Sequence, residues 1–174
     1  MATNSVAFWN KTWRREHNRF YKHFDAIVDL LPEKGKVIDV GCGVGSLLKL
    51  IEKNCLGLKL EGRDHSPEAI KKLRNRGIKG KVEKLPLISG KADIIIATEV
   101  LEHMKDDDAV LQSMTNTAKK IIITVPDDRL GSEECGEHER KYTAESLGNK
   151  LDMYFDKYVI YSIEGYLLAV AWNV

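Results

Sequence analysis

The chain has 174 residues, 43% hydrophobic and 30% charged, with 27 Lys and Arg against 26 Asp and Glu. This is the balance of an ordinary globular protein, long enough to bury a sizeable core as one domain over residues 1–174. A net charge of +1 gives no general electrostatic grip on nucleic acid, and no stretch reaches the ~20 apolar residues of a membrane span.

Trp13, Phe20, Phe24, Ile27, Val28 and Leu31 fall on one side of a helix over residues 12–31, which Pro32 ends. Most of these rings read as core, while Trp9, ahead of that helix, is the freest to meet a ligand; residues 1–34 would form a helical cap. A buried strand follows at 37–41, a helix at 46–54 and a second strand at 58–63. Ser66-Pro67-Glu68 opens the next helix as cap, first-turn proline and first-turn acid, and Gly77 closes it. Residues 78–83 read as an edge strand and 93–97 as another buried one. Residues 106–118 read as a helix with Ala109, Val110, Met114 and Ala118 inward. Ile121 to Val125 is an all-apolar strand stopped by Pro126; residues 127–141 form a polar loop, and Thr143 caps a helix carrying Leu147 and Leu151. Strands near 156–163 and 166–173 flank Glu164-Gly165, a hairpin signal. Alternation of short strands and helices demands a mostly parallel sheet with right-handed crossovers and helices on both faces. The fold class is therefore α/β, a Rossmann-like three-layer sandwich whose seven-stranded sheet ends in an antiparallel hairpin.

The charge runs at 14–23, 71–84 and 106–108 read as solvated helix faces. Three cysteines, Cys42, Cys55 and Cys135, have no metal-type spacing. With an N-terminus too polar for a secretion signal, they fit a reduced cytoplasmic setting.

The chemistry concentrates in Val37-Ile38-Asp39-Val40-Gly41-Cys42-Gly43-Val44-Gly45. A buried strand ends near an acid and breaks into alternate glycines before a helix, the architecture of a nucleotide-type site. A dinucleotide fingerprint needs G-x-G-x-x-G, and Ser46 stands where its last glycine belongs. Asp39 would repel a pyrophosphate but suits a cationic group such as an α-ammonium. Asp64 ends the second strand at the offset of a carboxylate that accepts from both hydroxyls of a ribose.

These segments resemble the class I S-adenosylmethionine (SAM)-dependent methyltransferases, in particular their small-molecule "type 11" branch. The glycine segment is similar to the family's first motif, and Gly62-Arg63-Asp64-His65-Ser66-Pro67-Glu68-Ala69-Ile70 to its second-strand segment. Glu83-Lys84-Leu85-Pro86 resembles the element after the third strand. Asp93-Ile94-Ile95-Ile96-Ala97-Thr98-Glu99-Val100-Leu101-Glu102-His103 resembles the fourth strand and its turn. Thr124-Val125-Pro126 and Glu137-His138-Glu139-Arg140-Lys141-Tyr142-Thr143 complete the match, which runs over residues 35–155. The resemblance implies SAM as cofactor. Asp39, Gly41, Cys42 and Gly43 would line its methionine part, and Asp64 would hold the ribose. His65 would lie by the adenine, Val82 at the adenine edge through its backbone, and Thr98 near the sulfonium. Lys81 departs from the family, which often has an aspartate there for the adenine amino group; Glu83 could substitute.

Methyl transfer to an oxygen or nitrogen is helped by a base. His103 is the first candidate, with Glu99 and Glu102 beside it, and His138 the second. Glu102, His103 and His138 show no metal-ligand spacing, so no metal is expected. No Asn-Pro-Pro-Tyr or Asp-Pro-Pro-Tyr follows the fourth strand, which sets aside methylases of planar amides and adenine amino groups. The only sizeable insertion is 127–141, which favours a small acceptor, or one presented at an open cleft, over an enclosed large one. Two other readings are a non-catalytic SAM-binding or partner module, against which the intact turn and two acids stand, and a nicotinamide-dependent oxidoreductase, against which the failed fingerprint stands.

Overall fold

Neighbouring side chains on an extended strand point to opposite faces, so an all-apolar strand must be covered on both. The computed structural model, which describes residues 4–15, 21–130 and 138–174, meets that demand with three layers. The strands are β1 (Gly35–Val40), β2 (Leu58–Asp64), β3 (Lys79–Val82), β4 (Ile94–Thr98), β5 (Lys120–Pro126), β6 (Lys157–Ile163) and β7 (Tyr166–Trp172). They form one sheet in the order β3-β2-β1-β4-β5-β7-β6. The first five run parallel, and β7 lies antiparallel between β5 and β6. The helices are α1 (Val6–Arg15), α2 (Phe24–Asp29), α3 (Ser46–Asn54), α4 (Pro67–Asn75), α5 (Asp107–Thr117) and α6 (Ala144–Leu151).

Ile94, Ile96 and Ile122 pack against Phe24 and Ile27 of α2 and Leu47 and Ile51 of α3. Their strand neighbours Ile95, Ile121 and Ile123 face the other way, into Val110, Leu111 and Met114 of α5 and Leu147 and Leu151 of α6. α4 joins the first side, where Ile70 and Leu73 meet Leu48 and Ile78. From β1 the chain winds outward through β2 and β3, then returns to β4 on the other side of β1. That reversal leaves a crevice beyond the carboxyl ends of β1 and β4, where open α/β sheets bind ligands.

Local chemistry sets the ends. The Ser66 hydroxyl accepts from the Ala69 amide at 3.2 Å with Pro67 in the first helical position. Thr143 and Ser146 cap α6 reciprocally. Glu164 and Gly165 both take positive φ, 48° and 91°, the twist that a two-residue hairpin needs.

Three expectations change. The helix over 12–31 is instead α1, which begins earlier and contains Trp9, and the separate α2; Phe20 lies outside the described residues. In α5 the buried residues include Leu111 and Asp107, whereas Ala109 is half-buried. The acidic run 106–108 is not a solvated face: the Asp106 carboxylate accepts from the Ala109 amide to cap α5. Asp107 is 1% exposed and accepts from Arg140, Lys150 and the Tyr142 hydroxyl. A buried carboxylate requires such donors, and α6 and the 138–142 segment fold back to supply them.

Candidate cofactor and acceptor site

Beyond Val40 the chain turns through Gly41 and Gly43 at φ 70° and 52°. A Cβ on Gly41 would stand 2.5 Å from Val100, and one on Gly43 2.6 Å from the Trp13 ring. Glycine is needed here both for backbone conformation and for close approach. The turn is walled by the segment after β4 on one side and by α1 on the other.

Two acids flank the turn. Asp39 is 1% exposed, and its Oδ1 has no hydrogen-bond partner. Burial, with Asp64 nearby, pushes the Asp39 carboxyl well above the usual range. Asp64 ends β2: its Oδ2 accepts from the Gly43 amide at 3.0 Å and its Oδ1 from the Ser66 amide at 2.7 Å. Each of those oxygens has a further lone pair. Burial raises the Asp64 carboxyl despite these donors. Asp64 therefore also braces the turn.

Both acids line a cavity of about 510 Å³, within the size range of small-molecule pockets. Gly41, Cys42, Gly43, His65 and Thr98 line it too. His65 Nε2 is buried with no partner. The Cys42 thiol donates to the Gly43 carbonyl at 3.5 Å, and burial followed by the two acids pushes its pKa well up. It is a packing group, not a reactive thiolate.

At the end of β4, Glu99 takes φ 55°, a strained conformation for a residue with a side chain. Its amide donates to the Thr124 carbonyl, and its Oε1 accepts from the Thr124 hydroxyl, both at 3.0 Å. This bend carries the chain across the cavity mouth into a short 3-10 turn, Leu101–His103. His103 borders the cavity, its ring edge-on to Trp9 at 5.5 Å between centroids. Trp9 and Trp13 stack at 5.9 Å over Val44 and Ala69, so α1 roofs the cavity. Trp9 lies within α1 rather than ahead of it and lines the cavity. The His138 ring lies 5.0 Å from that of His103.

A family model described as a methyltransferase domain matches residues 14–157. The chain belongs to the class I SAM-dependent methyltransferases.

SAM is thus its methyl donor. Among solved structures, the methyltransferase resembles magnesium protoporphyrin IX methyltransferase from Synechocystis PCC 6803 with bound S-adenosylhomocysteine (SAH). That match has 16% identity over 98% of this chain and 96% of the other, with a TM-score of 0.74. A SAM-dependent methyltransferase from Thermotoga maritima matches at 14% identity over 87% of each chain, with a TM-score of 0.74. Human N-acetylserotonin methyltransferase in complex with SAM matches at 15% identity over 97% of this chain and 54% of that one, with a TM-score of 0.73. Among curated proteins the search found no significant match. In the described residues no helix is long and apolar enough to cross a membrane.

Val82, expected at the adenine edge through its backbone, ends β3 with its side chain 45% exposed, next to Glu83 at the cavity border. One sequence expectation meets a different geometry in this methyltransferase. Glu83 borders the cavity, but its carboxylate is full. Oε1 accepts from Lys81 Nζ at 2.6 Å and the Ser89 hydroxyl at 2.7 Å; Oε2 accepts from Arg63 at 2.7 Å and the Ser89 amide at 3.1 Å. With about four lone-pair sites taken, it has none for an adenine amino group, which corrects the idea that it substitutes for the missing aspartate. Burial works to raise its pKa, yet these donors hold it down to about 2. Lys81 and Glu83 together are an ion pair at the cavity rim. The N-terminal cap expected from sequence includes α1, which sets Trp9 and Trp13 on the cavity; the strained bend at Glu99 was not legible there.

Proposed function

We propose that the methyltransferase acts on a small-molecule oxygen or nitrogen acceptor, with SAM bound along Asp39, Gly41, Cys42, Gly43, Asp64, His65 and Thr98. One observation carries the cofactor placement: a buried carboxylate oxygen of Asp39, bonded to nothing, at the wall of a 510 Å³ cavity. An unpaired buried carboxylate is costly, and an α-ammonium is the partner that relieves it. Asp64 keeps a free lone pair on each oxygen for the two ribose hydroxyls. His65 offers an unpartnered ring nitrogen to the base, and Thr98 ends β4 beside the reacting region.

Bound SAM supplies an electrophilic methyl on a sulfonium with a neutral leaving group. The protein's part is alignment and dryness. The glycine turn fixes the donor end. Trp9 and Trp13 close the roof and exclude water. His103 stands at the acceptor side of the same cavity, where an imidazole can meet an acceptor's proton. The small-acceptor reading is supported by the roofed, modest cavity; the fold's relatives differ in acceptor and do not choose one.

Calorimetric titration with SAH tests the placement. Asp64→Ala removes two charge-assisted hydrogen bonds to the ribose and is expected to weaken binding on the order of a hundredfold. Unchanged binding would remove Asp64 from the site. A metabolite-extract screen with labelled SAM, read by mass spectrometry, identifies the acceptor.

A further inference from the structure

Glu102 follows the strained bend after β4 and is 1% exposed, yet neither carboxylate oxygen has a hydrogen-bond partner. Two imidazoles stand next to it. His103 Nε2 lies 3.9 Å from Glu102 Oε1, too long for a hydrogen bond. The His138 ring faces that of His103 with 66° between planes. One ligand atom from each of the three residues lies within 4.8 Å of the others. Donors around a tetrahedral zinc at about 2.1 Å are ~3.4 Å apart, so a small rotamer adjustment closes the set.

We propose that Glu102, His103 and His138 bind a first-row divalent cation at the rim of the cavity. Two neutral imidazoles and one carboxylate make an N₂O donor set that suits Zn²⁺, Co²⁺, Mn²⁺ or Fe²⁺ and leaves coordination positions open. The cation supplies the partner that the buried Glu102 carboxylate otherwise lacks. The fold holds the third ligand in place. The Glu102 carbonyl accepts from the Glu139 and Arg140 amides at 2.7 and 3.3 Å. The Arg140 guanidinium donates to the Met104 and Lys105 carbonyls and to Asp107. His138 is thus clamped beside the turn that carries its two partners, although 35 positions of sequence separate it from His103. That separation is why no ligand spacing was legible in the sequence.

Of the three ligands His103 borders the cavity, as does Glu139, so a cation held there would be within reach of a bound acceptor. Resting on the methyl-transfer reading above, this narrows the acceptor to an oxygen. Coordination acidifies its hydroxyl. The O–H bond breaks and its proton leaves to solvent. The oxygen then bonds the methyl carbon as the carbon–sulfur bond breaks, its electron pair going to sulfur to give SAH. His103 is in this arrangement a ligand rather than a base.

The test uses untagged, chelator-stripped full-length protein, titrated separately with Zn²⁺ by calorimetry and with Co²⁺ by visible absorption. One equivalent is expected to bind, with cobalt bands of a nitrogen–oxygen ligand set. His138→Ala, at the edge of a loop, should weaken Zn²⁺ more than roughly tenfold while its circular dichroism spectrum stays native. Glu102→Gln should do the same. No stoichiometric binding, or binding untouched in His138→Ala, overturns the site. SAH titration of the stripped protein is the separate arm. SAH bound without metal binding sinks the cation site alone. Metal bound without SAH binding upholds the cation site and sinks the cofactor placement.

Discussion

Gly43 shows how much one missing methyl group can decide. Its φ of 52° is unfavourable for any side chain, and the Trp13 ring occupies the place a Cβ would take. Gly43→Ala must either strain the turn or push α1 off the cavity. The expected cost is about 2 kcal/mol, a fall in Tm of about 4–8 °C for a chain of this size, with weaker SAH binding because the roof shifts. Differential scanning calorimetry checks it; an unshifted Tm would mean that Trp13 does not rest on the turn. Asp64 works at the same scale with two duties. It braces the turn through the Gly43 amide and, in the proposed reading, holds the ribose. The comparison of SAH affinity with Tm in Asp64→Ala separates the duties, since a purely bracing residue would lower both in step.

Between elements, the decisive contacts are polar. Asp107 opens α5 and gathers Arg140, Tyr142 and Lys150, so one carboxylate ties α5 to α6 and to the segment bearing His138. Burial and this carboxylate together raise the Tyr142 phenol, which stays a donor. Asp107→Ala removes the acceptor of the Tyr142 hydroxyl and one acceptor each from Arg140 and Lys150. It is expected to cost about 3 kcal/mol in urea unfolding. The same change should loosen residues 138–142, read as faster amide exchange there than in β1. Equal exchange in both segments would show that the 138–142 segment is held by other means.

For the molecule as a whole, acid is the informative stress. His23 is fully buried between α2 and β5, packed against Tyr21, Phe24 and Tyr166, with one ring nitrogen 3.2 Å from the Thr124 hydroxyl. Burial lowers its pKa from 6.5 to about 4. The unfolded chain therefore binds this proton first, and stability rises with pH across that window. The contribution is complete above 6.5 and is lost as pH falls toward 4. His23→Gln should flatten the decline of Tm between those two values, whatever it does to Tm at neutral pH. A profile parallel to wild type would show that His23 does not titrate in the fold. Below that window Glu83, held down to about 2 from its ordinary 4.5, continues the loss.

The sequence by itself determined the layered α/β plan. Apolar runs such as Ile121 to Val125 demand cover on both faces, and a serine–proline start or a Glu-Gly turn is written in adjacent residues. It also held the proposed cofactor end of the site, because Asp39 and the glycines belong to one local turn and Asp64 ends the neighbouring strand. Only the tertiary structure decided the rest, where the relevant partners are far apart in the chain. Asp107 looks like one of three solvated acids until Arg140, Tyr142 and Lys150 arrive around it. Glu83 looks available until Arg63, Lys81 and Ser89 fill its oxygens. His138 meets His103 only because backbone amides of Glu139 and Arg140 dock on Glu102. Periodicity and capping act over a few residues and can be read in order along the chain. Burial, ion pairing and donor clustering depend on which segments the sheet brings together, and no local pattern records that.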